Sequence, residues 1–279
     1  MKRIVVTGGA GRLGVKVVES LVAKGYDVVA VDLVRPETQR CRFLTVDLTD
    51  PGPVFDTLKG TDAVIHLGAI PGPVSHPQST TFRNNVQSTW NVTEAAATLG
   101  LQKIVFASSV FTLGWHEAAD VYWPQYAPVD ESHLLTPFEA YGLSKVIGED
   151  IVAAASRQSG ITAVSLRIMN VIQEEVAAHL PWPTPTQQQP VRFVLWPYVY
   201  IDDAAMSCCQ ALEARTSGHE AMFIAAEDIR FAASTETLLR EFSPRTQIRG
   251  SLSGRQSVIS IEKARQLIGY APKFSWQST

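Results

Sequence analysis

The chain has 279 residues, of which 46% are hydrophobic and 18% charged, so it can bury a large core and is neither disordered nor fibrous. Its 24 Lys and Arg against 27 Asp and Glu give a formal net charge of −3 without a basic stripe, which argues against nucleic acid as a partner. No apolar run reaches the roughly 18 residues of a membrane-spanning helix and no signal-peptide pattern opens the chain, so we expect a cytoplasmic protein without a membrane partner.

Short runs rich in Val and Ile alternate with longer helical patterns along most of the chain. Strands are predicted at Arg3–Thr7, Asp27–Asp32, Phe43–Val46, Ala63–Leu67, Lys103–Ala107 and Ala163–Arg167, and helices at Leu13–Lys24, Val54–Leu58, about Ser79–Leu99 and Glu139–Ser159. Strands that are apolar on both faces suit a parallel sheet covered by helices on each side. The pattern therefore predicts a doubly wound parallel α/β sheet.

The amino-acid composition changes after Asn170. The segment 180–190 is rich in Pro, Thr and Gln, which predicts an exposed loop. Further elements are predicted beyond it, namely a helix at Asp202–Glu213, a strand at Ala221–Ala225 and a helix near Ile261–Ile268. We therefore divide the chain into residues 1–170, which carry the main sheet, and residues 171–279, a small portion interleaved with the last sheet elements.

A glycine-rich turn, TGGAGRLG at residues 7–14, follows the first strand directly and opens the first helix. Gly8, Gly11 and Gly14 fit the pattern TGxxGxxG. Gly9, Gly11 and Gly14 fit the pattern GxGxxG. Such glycines let the backbone turn tightly and approach a pyrophosphate, which the helix N-terminus then holds. The turn predicts a Rossmann dinucleotide site, with Arg12 and Leu13 among its contacts.

Two acidic residues extend this cofactor site. Asp32 ends the second strand 18 residues after Gly14, where a carboxylate accepts from both ribose hydroxyls and repels the extra phosphate of NADP, which favours NAD. Arg12 and Arg35 leave NADP open, since either can reach a 2′-phosphate or be an ordinary surface residue. Asp47 follows the third strand and is a candidate acceptor for the adenine amino group, whereas Asp50 better suits the N-cap of the next helix.

Tyr141 and Lys145 stand four residues apart in a predicted helix, so both project from one face. A lysine cation near a phenol stabilises the phenolate and lowers the tyrosine pKa, and it can also hold a cofactor ribose. Ser108 and Ser109 lie near the end of a predicted strand, the edge at which such sheets place functional groups. This constellation predicts an acid-base tyrosine beside the cofactor.

Several motifs together resemble the extended short-chain dehydrogenase/reductases, and within them the NAD-dependent sugar epimerase/dehydratase group. They are TGGAGRLG, Asp32, DLTD at 47–50, HLGA at 66–69, NNVQSTWNVTEAA from Asn84, ASS at 107–109 and YGLSK at 141–145. The resemblance covers about the first 170 residues in order, then resumes at 199–204 and in the closing SIEKARQLIGYAPKFSW.

The resemblance implies roles for particular residues. Tyr141 is the general acid/base, Lys145 lowers its pKa and holds the nicotinamide ribose, and Asn85 supports the site. Ser109 orients the substrate, because the family's serine stands five residues before a glycine, here Gly114. It also implies cofactor contacts from Leu48, Leu67, Gly68 and Ala69, and a homodimer formed through the helices near 79–99 and 141–155.

Two departures leave the substrate side less defined. The chain has Phe-Thr-Leu-Gly at 111–114 where the family usually has VYG, and Gln-Glu at 173–174 where it usually has GP. Asn170 is either a substrate contact or a turn former. His66 is interpreted as a structural residue under the cofactor. His116, Glu117 and the aromatic residues Trp115, Tyr122, Trp123 and Tyr126 either line a substrate pocket or pack as a lid.

We therefore expect an enzyme that transfers hydride between NAD and a hydroxyl-bearing carbon of a sugar or sugar acid, with Tyr141 moving the proton and no metal bound. Only 27 residues separate Asn170 from Tyr198, and so short a segment has few groups to enclose a nucleotide. The alternatives are a nucleotide-sugar epimerase or dehydratase, and a dinucleotide-sensing protein without turnover. The three cysteines, Cys41, Cys208 and Cys209, lack metal-ligand spacing and are expected to be reduced.

Overall fold

Strands and helices alternate along the chain, whose computed structural model describes residues 2–36, 38, 40–115 and 123–277. The strands are β1 (Arg3–Thr7), β2 (Asp27–Asp32), β3 (Arg42–Thr45), β4 (Ala63–His66), β5 (Lys103–Ser109), β6 (Tyr126–Ala127), β7 (Thr162–Ile168), β8 (Val171–Ile172), β9 (Val199–Tyr200), β10 (His219–Ile224) and β11 (Gln247–Ile248). The α-helices are α1 (Arg12–Ala23), α2 (Pro51–Leu58), α3 (Gln78–Thr98), α4 (Ala140–Ser159), α5 (Glu174–Ala177), α6 (Ile201–Glu213), α7 (Thr235–Phe242) and α8 (Glu262–Ile268). Short 3-10 helices cover Val110–Leu113 and Phe193–Leu195.

Seven strands form one sheet in the order β10-β7-β5-β4-β1-β2-β3, and every neighbouring pair is parallel. The chain moves outward from β1 to β3 on one side and from β4 to β10 on the other. The predicted fold class, a doubly wound parallel sheet, is confirmed. Of the helices in the described ranges, none has the length and apolar character needed to cross a membrane.

Each face of the sheet packs against its own helices, because successive strand residues point to opposite faces. Ile4 and Val6 of β1 belong to the core on the side of α1 and α6, whereas Val5 belongs to the core that α2, α3 and α4 cover. Strands buried on both sides need continuous apolar runs, which is why the Val and Ile runs predicted them.

The chain beyond residue 170 contributes both to the sheet and to the rim above it. Strand β10 pairs with β7 at the sheet edge, and the apolar face of α6 lies in the same core as α1. The short pairs β8–β9 and β6–β11 belong to the rim. Helix α7 was not predicted.

A buried ion pair ties α4 to the sheet. Arg167 on β7 donates through Nε and Nη2 to the carboxylate of Glu149 on α4, at 3.0 and 2.8 Å. Ser108 on β5 donates to the same carboxylate at 2.5 Å. Both charged side chains are buried, so each depends on the other for compensation of its charge.

Replacing Glu149 with alanine removes this compensation and leaves the Arg167 guanidinium buried alone. We expect Glu149→Ala to lower the free energy of unfolding by about 3–5 kcal/mol, measured by urea denaturation. Glu236→Ala is the control, because Glu236 pairs with Arg240 on the surface and its loss costs less than about 1 kcal/mol. Equal costs for the two variants would contradict the prediction.

Candidate active site

An open cleft of about 530 Å³ lies at the carboxyl ends of the central strands. Its walls come from the turn after β1, the loop after β4, the end of β5, helix α4 and the segment that follows β7. Strands β1 and β4 are neighbours, but their following helices α1 and α3 lead to opposite sides of the sheet. Parallel α/β sheets bind their ligands at such a switch point.

The glycine turn forms one wall of the cleft and is shaped by the absence of side chains. Gly8 has a φ of +67°, and a Cβ there would lie 2.8 Å from the backbone nitrogen of Gly68. A Cβ on Gly14 would overlap the carbonyl oxygen of Gly8. Gly11 is the N-cap of α1. The turn therefore presents bare backbone and a helix N-terminus to the cleft, which fits a dinucleotide pyrophosphate.

Asp32 is held at the same wall by the backbone. Its carboxylate accepts from the nitrogens of Ala10 at 3.0 Å and Leu33 at 2.8 Å. Arg12 Nη1 donates to Gln173 Oε1 across the cleft at 3.2 Å, and the Arg35 guanidinium lies 5.6 Å from the centroid of the Phe43 ring. Asp32 therefore lies on the cleft wall beside the glycine turn, and both arginines are already in contact with other side chains.

Asp47 and Leu48 do not line the cleft. Asp47 is exposed, and its Oδ1 accepts from the backbone nitrogen and hydroxyl of Thr49 at 2.9 and 2.7 Å. The Leu48 side chain packs beneath Gly68, so a Cβ added to Gly68 would overlap Cδ1 of Leu48. Asp50 caps α2 by accepting from the nitrogen of Gly52. Leu67, Gly68 and Ala69 do line the cleft.

Helix α4 brings Tyr141 and Lys145 to the cleft wall. Its N-cap residue, Glu139, accepts from the backbone nitrogens of Tyr141 and Gly142. The Lys145 ammonium donates to the carbonyl oxygen of Ala107 at 2.8 Å and lies 5.6 Å from the centroid of the Tyr141 ring. The edge-to-face contact of Phe111 with Tyr141, at 5.7 Å between centroids, holds the phenol ring.

The pKa values of this pair reflect their burial. Burial raises the pKa of Tyr141, and hydrogen bonds with Ser109 and with the Gly72 backbone act in the opposite direction. Burial lowers the pKa of Lys145 to about 8. Lys145 is therefore mostly cationic at neutral pH. Ser109 is buried beside Tyr141, and its Oγ also accepts from the backbone nitrogen of Phe111 at 3.3 Å.

Asn85 lies behind the cleft instead of lining it. From α3 its Oδ1 accepts from the nitrogen of Ile70 at 2.8 Å, and its Nδ2 donates to the oxygen of Ile70 at 3.1 Å. The same Nδ2 contacts the hydroxyl of Ser144 on α4 at 3.2 Å. Asn85 thereby joins the loop after β4 to the helix that carries Tyr141.

His66 is buried and its hydrogen bonds define one tautomer. The Thr89 hydroxyl donates to the carbonyl oxygen of Asn85, so its oxygen accepts from Nε2 of His66. Nδ1 is then the acceptor for the Thr7 hydroxyl, whose oxygen accepts from the nitrogen of Gly68. Burial lowers the pKa of His66 to about 3, so the ring is neutral. This agrees with the structural interpretation of His66.

The aromatic residues after Gly114 pack inward. The rings of Trp115 and Trp123 lie 4.6 and 5.1 Å from that of Phe193, and Tyr126 is buried. None of these three residues lines the cleft, so the pocket-lining interpretation is wrong for them. They pack into the core because burying their large apolar surface is more favourable than exposing it to water. His116, Glu117 and Tyr122 lie outside the described residues.

Asn170 lines the cleft opposite α4, and two residues beside it were not predicted. Gln173 lines the cleft and contacts Arg12, and the buried Arg230 donates from Nη2 to Asn170 Oδ1 at 2.6 Å. The departure at 173–174 was the only local signal for Gln173. No sequence pattern marks Arg230, because its partners are distant in the chain.

Comparison with known proteins places the chain in a defined group. A sequence model of the NAD dependent epimerase/dehydratase family matches residues 4–225. A putative UDP-glucose 4-epimerase of Methanocaldococcus jannaschii is 33% identical over 61% of this chain, a match that spans 56% of that protein. L-arabinose 1-dehydrogenase (NAD(P)(+)) of Haloferax volcanii is 29% identical over 85% of this chain and 94% of its own length.

The fold has a counterpart among solved structures. A short-chain dehydrogenase/reductase superfamily protein from Agrobacterium tumefaciens, crystallised with bound NAD, superimposes with a TM-score of 0.75 at 22% identity. The superposition covers 99% of this chain and 94% of its counterpart. The similarity therefore extends over both the sheet and the rim.

Removing the Asp32 carboxylate tests its contact with the adenosine ribose. We expect wild type to bind NAD more tightly than NADP, and Asp32→Ala to narrow or reverse that preference, because the variant loses an acceptor and a repulsive charge. Fluorescence titration with both reduced cofactors measures the ratio. Asp27→Ala, at the exposed far end of the same strand, is the control and should leave the ratio unchanged. Tighter NADP binding by wild type would contradict the assignment.

Proposed function

Because the chain belongs to the NAD-dependent epimerase/dehydratase family, we propose that it is an NAD-dependent oxidoreductase acting on a hydroxyl of a sugar or sugar acid. The observation that carries the proposal is the position of Tyr141 and Lys145 on the wall of a cleft that the glycine turn and Asp32 also line. NAD, when bound, supplies the acceptor for the hydride. Gly8, Gly11, Arg12, Leu13 and Gly14 would hold its phosphates, and Asp32 its adenosine ribose.

Tyr141 is the group proposed to move the proton. In its phenolate form the Tyr141 oxygen takes the proton of the substrate hydroxyl, and Ser109, which is buried at the end of β5, orients that hydroxyl. Lys145 lies close enough to stabilise the phenolate, and its bond to the Ala107 carbonyl fixes the ammonium. Asn85 acts indirectly, by tying the helix of Tyr141 to the loop after β4.

The substrate is proposed to be a free sugar or sugar acid, with residues 171–279 supplying much of its side of the cleft. Few residues are available between β8 and β9 to enclose a nucleotide, and the described aromatic residues after Gly114 pack into the core instead. The match to L-arabinose 1-dehydrogenase over 94% of that protein's length supports the smaller substrate. Epimerisation of a nucleotide sugar, the reaction named for the archaeal relative, is the alternative.

A homodimer formed through α3 and α4 is part of the proposal, as is a location in the cytoplasm. The two helices pack together and carry a shallow groove lined by Trp90, Ala97, Ile151 and Ala154. Trp90 is 51% exposed, which is unusual for so large an apolar side chain. Cys41, Cys208 and Cys209 are free thiols, which suits a reducing compartment.

Placing a charge in the groove tests the dimer. We expect wild type to have twice the mass of the chain by light scattering and Trp90→Glu to be monomeric, because a buried unpaired carboxylate opposes association. Leu267→Glu, at an exposed leucine on α8, is the matched control and should remain dimeric. A monomeric wild type, or a dimeric Trp90→Glu variant, would contradict this interface.

Deleting the phenol oxygen tests the catalytic assignment. NADH formation is followed by absorbance with a panel of free sugars, their acids and UDP-sugars. On the best substrate, we expect Tyr141→Phe to lower turnover about 100-fold or more while NADH affinity changes little, because the variant loses the proton acceptor and almost no volume. Tyr26→Phe removes a phenol at the surface and serves as the control.

Two results would count against the proposal. Turnover by Tyr141→Phe at the wild-type rate would exclude this tyrosine as the acid/base. Saturable turnover of a UDP- or dTDP-sugar, with none of the corresponding free sugar or its acid, would favour the alternative reaction. Conversion of the sugar to its epimer without net NADH would identify an epimerase.

A further inference from the structure

Arg230 is a buried cation next to the substrate side of the cleft. It lies between β10 and α7, and only 1% of the residue is exposed. Its guanidinium carbon lies 4.5 Å from the ring centroid of Trp182 and 5.7 Å from that of Tyr198. The aromatic faces stabilise the cation but do not neutralise it.

No carboxylate of the described residues comes within 4.0 Å of this guanidinium. Asp228, the acid nearest in sequence, accepts instead from the hydroxyls of Tyr198 and Ser275. The Nε of Arg230 is buried without a hydrogen-bond partner. Burial lowers the pKa of Arg230 to about 10, so the side chain stays charged at neutral pH. A buried charge without a counter-ion is costly, which makes an unexplained one informative.

The charge is connected to the cleft through Asn170. Arg230 Nη2 donates to Asn170 Oδ1 at 2.6 Å, which determines the orientation of the amide, because only Oδ1 can accept. The amide Nδ2 is left on the other side, on a residue that lines the cleft opposite Tyr141 and Lys145. Asn170 therefore offers the substrate hydrogen-bond donors that a neighbouring cation polarises.

We propose that Asn170 and Arg230 form the anion-recognising end of the substrate site, so that the substrate is a sugar carrying a carboxylate or a phosphate. Asn170 donates to an anionic oxygen through Nδ2. Arg230 is a positioning residue, because it holds the Asn170 amide in this orientation and supplies the positive charge behind it. The inference rests on the proposed function, excludes neutral free sugars as the preferred substrate and adds sugar phosphates to the sugar acids.

The direct test compares three ligands that share one ring. D-glucose, D-glucuronate and D-glucose 6-phosphate are titrated into protein saturated with NADH, so that no hydride can be transferred, and binding is followed by calorimetry and by the shift in melting temperature. We expect at least one anion to bind about 10-fold or more tightly than D-glucose, because a charge-assisted hydrogen bond replaces a neutral one. The two anions distinguish carboxylate from phosphate recognition. Failure of both to exceed D-glucose overturns the proposal.

Asn170→Asp is the decisive variant, because it keeps the shape of the side chain and places a carboxylate on Arg230. We expect it to lower the ratio of anion affinity to D-glucose affinity about 10-fold or more, to leave NADH binding within about 2-fold, and not to lower the melting temperature. Gln266→Glu adds the same charge on exposed α8 and is the control. Equal weakening of neutral and anionic ligands by Asn170→Asp would overturn the proposal.

Arg230 is tested by variants that separate its charge from its volume. Arg230→Met should lose the preference for the anion, and Arg230→Lys should retain part of it. If Arg230→Met fails to fold, the Asn170→Asp comparison still decides. The outcomes also separate the two proposals. If the protein shows no preference for the anion, the effect of Tyr141→Phe on turnover still tests the proposed function. If Tyr141→Phe has no effect on turnover, the ligand preference still tests the role of Asn170 and Arg230.

Discussion

The close packing of helix α4 against the end of β5 is the contact on which the site depends. A Cβ on Gly142 would overlap the carbonyl oxygen of Phe111, and one on Gly148 would overlap the ring of Phe106. Between these two glycines, Lys145 reaches the carbonyl oxygen of Ala107. Because the helix lies this close, Tyr141 and Lys145 line the same cleft as the end of β5. The buried charge pair of Glu149 then prevents the helix from sliding.

A second set of contacts joins the cofactor side of the cleft to the same helix. The hydrogen bonds run from the nitrogen of Gly68 through Thr7, His66 and Thr89 to the carbonyl oxygen of Asn85. Asn85 continues them to Ser144 on α4. Each group in this network has a partner, so the polar atoms remain buried without loss of stability and the loop after β4 keeps one position relative to α4.

The charges around the cleft are distributed unevenly. Asp32 is the one acidic residue among the described cleft-lining residues, and it lies beside the glycine turn. Lys145 lies on the α4 wall, and Arg230 is buried behind Asn170 on the opposite side. A cofactor that binds a carboxylate through its ribose and a substrate that brings negative charge both complement this distribution.

Some of this could be predicted from the sequence because it depends on neighbours in the chain. The continuous Val and Ile runs of the strands, the glycines of the turn and the four-residue spacing of Tyr141 and Lys145 are local patterns, so they predicted the parallel sheet and several residues that line the cleft. The aromatic residues after Gly114 have no such pattern, and their inward packing had to come from the structure. The proline-rich segment at 180–190 is mostly exposed, as its composition predicted.

Only the tertiary structure decided which residues meet on the side of the cleft opposite α4. Asn170 and Arg230 are 60 residues apart and lie on separate segments, so no spacing in the sequence connects them. Asp47 and Asn85 belong to the sequence motifs but do not line the cleft. The Asp47 carboxylate accepts from Thr49, and the Asn85 amide accepts from Ile70. The sequence by itself determined the fold and the NAD-binding motif through local patterns, whereas the meeting of Asn170 and Arg230 depends on long-range packing that no local pattern encodes.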